Sequence, residues 1–222
     1  MSDEYRIRGL LFDCDGVLVD SLASAGRAWD AWAARWAPHF DYHTQMVHGR
    51  RAGDTVRELV APEDAERAEL ELEQDEIREA VGTEALPGAR ELTSSLTLPW
   101  AVVTSGTRDL ATARLTSAGI ALPAVLIAAQ DVTRGKPDPE PYVTGAGRIG
   151  LPAAECVVFE DAMSGIKAAR AAGVGVVIGV GPDALGHGAD AVVPDLSAVS
   201  VVDGVLSLSA ARWSAPRASV TS

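Results

Sequence analysis

The sequence has little cysteine, little lysine and no long apolar run, and each shortage excludes something. Two cysteines in 222 residues, Cys14 and Cys156, cannot build the disulfide framework of a small secreted domain, and both are read as reduced. The longest nearly apolar stretch, residues 171–181, is glycine-rich and about half of the roughly 20 residues that a membrane-spanning helix needs. Residues 1–8 are charged and lack the apolar segment of a secretory leader, so a cytoplasmic protein is expected. Basic residues are also in deficit, 19 against 31 acids. The resulting charge of −12 repels phosphate backbones and anionic lipid, which argues against nucleic acid or membrane as main partners. Lys136 is followed by proline, so no nucleotide P-loop is present, and Gly145-Ala-Gly147-Arg-Ile-Gly150 lies inside a helical stretch rather than opening a helix after a strand. The expected partner is a small molecule, bound by a monomer or weak homodimer.

What is present is an ordinary globular composition, 47% hydrophobic and 23% charged, on a chain long enough for one to two domains of roughly 150 residues each. Short β-rich runs at 9–12, 101–103, 125–128, 156–159 and 175–179 alternate with helical stretches at 108–118, 140–149 and 164–171, and a sixth strand is expected at 191–193. The runs are apolar on both faces, as in strands covered by helices on both sides. This is an α/β fold, a Rossmann-like parallel sheet core with helices on both faces. Residues 21–86 break the rhythm, being helical in character with no convincing strand, and are read as a small inserted all-helical domain, leaving 1–20 and 87–222 as the core. Trp29, Trp32 and Trp36 recur there at helical spacing and are read as packing residues. Residues 63–79 carry nine acids and two arginines, hence −7 of the total charge. Pro62 suits a first helical turn, and Leu70, Ile77 and Val81 are read as the apolar side of a helix with a solvated acidic face. The tail after Ser207 is expected to be poorly ordered at its end.

Ligands of parallel α/β sheets bind at the carboxyl ends of the strands. There the chain places Asp13-Cys14-Asp15-Gly16 after the first strand, Thr104-Ser105-Gly106 after the second and Glu160-Asp161 after the fourth. Two like charges about 4 Å apart repel by about 4 kcal/mol at an effective dielectric near 20, so four carboxylates on one edge need a cation or protons. Oxygen donors of this kind suit Mg²⁺, whereas Cys14 and the four histidines do not fall in a zinc-ligand spacing. One of the paired aspartates can attack phosphorus while the other moves a proton. Thr104, Ser105 and Gly106 offer hydroxyls and N–H groups to an anion, and Lys136, between Gly135 and Pro137, offers a positive charge.

The ordered set Phe12-Asp13-Cys14-Asp15-Gly16, Val103-Thr104-Ser105-Gly106, Gly135-Lys136-Pro137-Asp138-Pro139 and Phe159-Glu160-Asp161 resembles the four motifs of the haloacid dehalogenase superfamily, over about residues 8–193. The resemblance implies a hydrolytic core with a helical cap at 21–86, and a Mg²⁺-dependent phosphomonoesterase. It implies Asp13 as nucleophile, Asp15 as acid and base, Thr104, Ser105, Gly106 and Lys136 as phosphate holders, and Asp13, Asp15 through its carbonyl, Asp161 and Glu160 around the metal. The stretches His48-Gly49-Arg50-Arg51, Trp100 to Asp109 and Gly135 to Tyr142 look most like the glycerol-phosphate and 2-deoxyglucose-6-phosphate phosphatases. They imply a sugar or polyol phosphate substrate met by His48, Arg50 and Arg51 from the cap; a surface loop with solvated arginines is the alternative.

Neighbouring activities differ at single residues. True dehalogenases resemble this pattern but lack the second aspartate. Phosphonoacetaldehyde hydrolases use a cap lysine, and both lysines here, Lys136 and Lys167, lie outside the cap. β-Phosphoglucomutases usually carry a histidine in the first cap helix where this chain has Ala25. A phosphomutase with the same aspartyl-phosphate and a catalytically silent binding protein remain the alternatives to hydrolysis.

Overall fold

The computed structural model describes residues 3–209. Six parallel strands form the main sheet in the order β6-β5-β2-β7-β8-β9: β2 is Gly9–Phe12, β5 Trp100–Val103, β6 Leu126–Ile127, β7 Cys156–Glu160, β8 Val176–Val180 and β9 Ala191–Val193. All six strands anticipated from the sequence are present. Side chains alternate between two cores. Leu10, Phe12, Val102, Val157, Phe159 and Ile178 pack on one face with Leu92 of α5 (Ala89–Ser95) and Leu115 of α6 (Arg108–Ser117). Leu11, Val103, Ile127, Val158 and Val177 pack on the other with Tyr142 of α7 (Glu140–Arg148) and Ile166 of α8 (Met163–Ala171). Burial on both faces is why these strands read as continuous apolar runs. The order places β2 centrally, with β5 on one side and β7 on the other, so the chain reverses its direction across the sheet beside β2, where an open α/β sheet forms its ligand crevice.

Between β3 (Val19–Asp20) and β4 (Glu84–Ala85), which pair antiparallel, run four helices: α1 (Leu22–Trp36), α2 (Tyr42–Gln45), α3 (Ala52–Leu59) and α4 (Pro62–Glu79). They share a core of their own, in which Trp29, Trp32, Tyr42, Val56 and Leu72 are buried with Trp36 at the edge. The tryptophan stripe is therefore packing, and Trp32 Nε1 also donates to Ala68 O at 2.8 Å.

Three details differ from the sequence reading. The 21–86 interval does contain a strand, the two-residue β4, too short to leave a periodic signal. Pro62 opens α4 as anticipated, but the buried side of α4 is Ala65, Ala68, Leu72, Asp75 and Glu76, while Leu70 and Val81 are exposed. Small alanines fit under the tryptophans of α1, and the two buried acids are neutralised by Arg35, Arg78 and Arg114, so the acidic face is not wholly solvated. A second, antiparallel sheet, β1 (Asp3–Arg6), β11 (Val205–Leu208) and β10 (Val199–Val202), was not anticipated; β10 and β11 are joined through Asp203 and Gly204, both at positive φ, as a two-residue Asp-Gly hairpin requires. Apart from Leu208 and Ser209, the tail expected to be poorly ordered lies outside the described residues. Both cysteines are buried free thiols.

Candidate active site

Asp13 follows β2, and its backbone N–H donates to Phe159 O of β7 at 3.0 Å, so the first acid is fixed to the neighbouring strand end. The carboxylate is buried, and Lys136 Nζ donates to its Oδ1 at 2.6 Å. The same ammonium donates to Glu160 Oε1 at 2.6 Å and to Val103 O at 3.0 Å, which uses all three of its hydrogens. Lys136 thereby ties together the ends of β2, β5 and β7. Its ammonium also lies 5.0 Å from the Tyr142 ring centroid, and the Tyr142 hydroxyl donates to Glu160 Oε1 at 2.6 Å. Glu160 Oε2 accepts from Ala162 N at 3.2 Å. Both oxygens of this fully buried carboxylate are thus engaged by the protein, and Glu160 holds Lys136 in place.

Carboxylate oxygens of Asp13, Glu160 and Asp161 lie within 4.8 Å of one another. Burial, with the charges of Glu160 and Asp15 added, pushes the Asp13 carboxyl up to about 7 even though Lys136 opposes the shift. Burial first, then the charges of Glu160 and Asp13, raises Asp161 well above the usual carboxylate range. No protein donor reaches the Asp161 carboxylate among the described residues. A hard cation would relieve this crowding, because it adds positive charge beyond the single charge that Lys136 supplies to the acids. An all-oxygen cluster of this kind fits Mg²⁺ chemically. Gly16 sets the distance between the first and fourth motifs: its φ is +77°, and a Cβ there would lie 2.0 Å from Asp161 Oδ2.

Asp15 is not part of that cluster. Its Oδ1 accepts from Ser21 Oγ at 2.6 Å and from Arg114 Nη1 at 2.9 Å, and Arg114 Nη2 donates to Glu76 Oε1 of α4 at 3.1 Å. Neither Arg114 nor Glu76 stood out in the sequence. The available signal was Arg114 itself, a charge on the buried stripe formed by Leu110, Ala111 and Leu115 of α6.

The second motif is split between two tasks. Buried Thr104 accepts from Gly106 N at 3.0 Å through Oγ1, while Ser105 Oγ donates to Gly49 O at 2.7 Å. Ser164 Oγ, at the start of α8, donates to His48 O at 2.8 Å. Two core hydroxyls thus hold consecutive carbonyls of the loop before α3 over the strand ends. Gly49 has φ +80°, and a Cβ there would meet Ser164 Oγ at 2.2 Å. The His48 ring is exposed, edge-on to Tyr42 at 5.9 Å between centroids. Arg50 pairs with Glu58 at 2.6 Å, and Arg51 pairs with Asp54 at 2.9 Å while donating to Thr133 O at 3.2 Å. Both arginines are thus paired with acids of α3, and Arg51 also connects the helical insert to the core.

A family model for haloacid dehalogenase-like hydrolases matches residues 7–173. The chain is 42% identical to hexitol phosphatase A of Escherichia coli (strain K12), over 78% of this chain and 82% of that one. It is 36% identical to glycerol-1-phosphate phosphohydrolase 2 of Saccharomyces cerevisiae, over 78% and 74% respectively. A solved hydrolase from Pseudomonas syringae superposes with a TM-score of 0.74 at 31% identity, covering 85% of this chain and 93% of that one. Match length, identity and a shared parallel-sheet architecture agree, and the chain belongs to the haloacid dehalogenase-like hydrolase family.

Proposed function

We propose that the protein is a Mg²⁺-dependent phosphomonoesterase acting on small sugar or polyol phosphates, with residues 21–86 as its cap. The observation that carries the reading is the environment of Asp13, a buried carboxylate held on one oxygen by Lys136 beside a cluster of acids that suits a cation. The names of the hexitol and glycerol-phosphate enzymes support the substrate class.

Asp13 is the nucleophile. Lys136 fixes Oδ1, leaving Oδ2 to form the bond to phosphorus as the ester P–O bond breaks. Asp15 gives its proton to the departing oxygen, then takes one from the water that attacks the aspartyl-phosphate and frees Asp13. Thr104, Ser105 and Gly106 border the phosphoryl position, with Thr104 and the backbone N–H groups that open α6 facing the anion. Asp13, Asp161 and the Asp15 carbonyl would hold Mg²⁺, and Glu160 supports the site through Lys136. When bound, the ion neutralises charge on the phosphoryl oxygens and favours the ionised form of Asp13. His48 meets substrate hydroxyls from the cap, and Arg51 anchors the cap to the core. Water reaches phosphorus only under a cap latched by Ser105 and Ser164, which favours small substrates.

Phosphate release from sugar, polyol and nucleotide monophosphates tests the reading. Release confined to the first two classes and abolished by EDTA is expected. Turnover that instead isomerises a hexose phosphate, with a trace of bisphosphate as activator, would replace hydrolysis by the phosphomutase alternative.

A further inference from the structure

Among the described residues, Arg114 is the one buried cation that the proposed reaction leaves without a task. It projects from α6, is only 4% exposed, and its Nε finds no partner among the described residues. A buried guanidinium persists only when carboxylates compensate it, and two do so here. One is Glu76, itself buried, on cap helix α4; the other is Asp15 when ionised, Glu76 alone carrying the compensation while Asp15 holds its proton. The guanidinium therefore bridges α4 of the cap and the proposed proton-transfer residue of the core.

The geometry of the contact is directional. Arg114 Nη1 and Ser21 Oγ both donate to Oδ1 of Asp15, at 2.9 and 2.6 Å, and no described donor reaches Oδ2. Two donors arriving at one oxygen fix the rotation of the carboxyl group and leave the other oxygen as the place for a transferable proton. Glu76 Oε1 takes the far end of the guanidinium, at 3.1 Å, and so keeps the plane of Arg114 aligned with Asp15.

We propose that Arg114 is a positioning residue for Asp15, holding Oδ1 so that Oδ2 delivers the proton, with Glu76 fixing the guanidinium from the cap. This rests on the assignment of Asp15 as acid and base. In the first step the proton passes from Oδ2 to the ester oxygen as the P–O bond breaks and its electron pair stays on that oxygen. In the second, a water proton passes to Oδ2 while the water oxygen bonds to phosphorus and the Asp13–phosphorus bond breaks. Arg114 stays protonated throughout.

The test compares kcat/KM for glycerol 1-phosphate and 4-nitrophenyl phosphate, in excess Mg²⁺, for the native chain, Arg114→Met, Arg114→Lys and Asp15→Asn. An alkoxide needs a proton to leave and a nitrophenolate does not, and kcat/KM reports only the steps through departure of that group. Arg114→Met is expected to lose about 100-fold on glycerol 1-phosphate and less than about fivefold on the aryl ester, in line with the 10²–10⁴ that a positioned acid contributes. Arg114→Lys, which keeps the charge but not the two-pronged geometry, recovers part of the loss, and Asp15→Asn shows the same split in larger measure. Equal losses on both esters in the Arg114 variants, or none, overturn the proposal. If Arg114→Met does not fold, Arg114→Lys carries the comparison with a split of about tenfold, and equal slowing again overturns it. A split in Asp15→Asn without one in the Arg114 variants sinks the role of Arg114 alone. Equal losses in Asp15→Asn, or a native chain that cleaves neither ester, remove the underlying assignment and the proposal with it.

Discussion

Lys136 Nζ stands 2.6 Å from Asp13 Oδ1, with both groups buried, so the proposed nucleophile and its cation form one unit across the ends of β2 and β5. Lys136→Met removes the only protein cation that contacts Asp13 and Glu160 among the described residues, leaving two buried carboxylates uncompensated. Breaking a buried pair this way costs about 3–5 kcal/mol. Phosphate release is expected to fall by at least ~10³-fold, since one electrostatic contact to a transition state is worth 10²–10³ and the nucleophile is displaced as well. Thermal unfolding and turnover measured on the same preparation check both effects; a variant as stable and active as the native chain would refute the unit.

Metal binding should depend on pH in a defined direction. The folded-state pKa of Asp13 is raised from 3.8 to about 7, so its protonated form is favoured in the metal-free fold. A carboxylate shifted upward contributes stability that is fully present below its unfolded value and is lost as pH rises through the folded value. Metal-free protein should therefore lose stability between about pH 4 and pH 7 through this group. Added Mg²⁺, which needs the ionised form, should raise Tm more at pH 7.5 than at pH 5. Calorimetry with and without Mg²⁺ at the two pH values is the measurement, and Asp13→Asn should flatten the difference.

The latch between cap and core should be sensitive to one methyl group. Gly49→Ala places a Cβ at φ +80° and 2.2 Å from Ser164 Oγ, so the loop must move away from the core hydroxyls. Left-handed backbone at alanine costs about 1–2 kcal/mol, and displacement of the loop exposes the site to water. A fall of about tenfold in kcat/KM with Tm lowered by only a few degrees is expected. Ser164→Ala, which loses one hydrogen bond worth about 1 kcal/mol, should fall by roughly fivefold or less.

Trp32 carries the packing claim for the cap. It is fully buried and its indole N–H is bonded to Ala68 O. Trp32→Ala should cost about 3–5 kcal/mol, whereas Trp32→Phe keeps much of the volume and loses the hydrogen bond, costing about 1–3 kcal/mol. Urea unfolding of both variants checks the order; equal, small effects would mean that the stripe is not core.

The main sheet was legible because strands buried on both faces write unbroken apolar runs, and the residues that follow them, Asp13, Thr104, Glu160 and Asp161, stand at its carboxyl edge as the alternation of strand and helix requires. Contacts between distant segments were not legible. Arg114 and Glu76 are 38 residues apart, and nothing local marks either as a partner of Asp15. The helix face of α4 was misread because alanine carries little hydrophobic signal although Ala68 packs in the tryptophan cluster, and because a buried acid looks like a solvated one until its arginine is located. The hairpin of β10 and β11 could have been found: Asp203-Gly204 sits between two short runs rich in valine and leucine. In the cap loop, Arg50 and Arg51 drew notice by charge, and only the structure shows that Glu58 and Asp54 pair with them.

The central claim is that Asp13 becomes covalently phosphorylated, and trapping that species tests it most directly. Native protein turning over glycerol 1-phosphate with Mg²⁺ is quenched with borohydride, which reduces an aspartyl-phosphate to homoserine, and the peptide containing residue 13 is read by mass spectrometry. The account predicts conversion at Asp13 alone, dependent on substrate, and neither conversion nor phosphate release in Asp13→Asn. Phosphate released by the native chain with Asp13 unmodified and the reduction found at another residue, or release that survives Asp13→Asn, would contradict it.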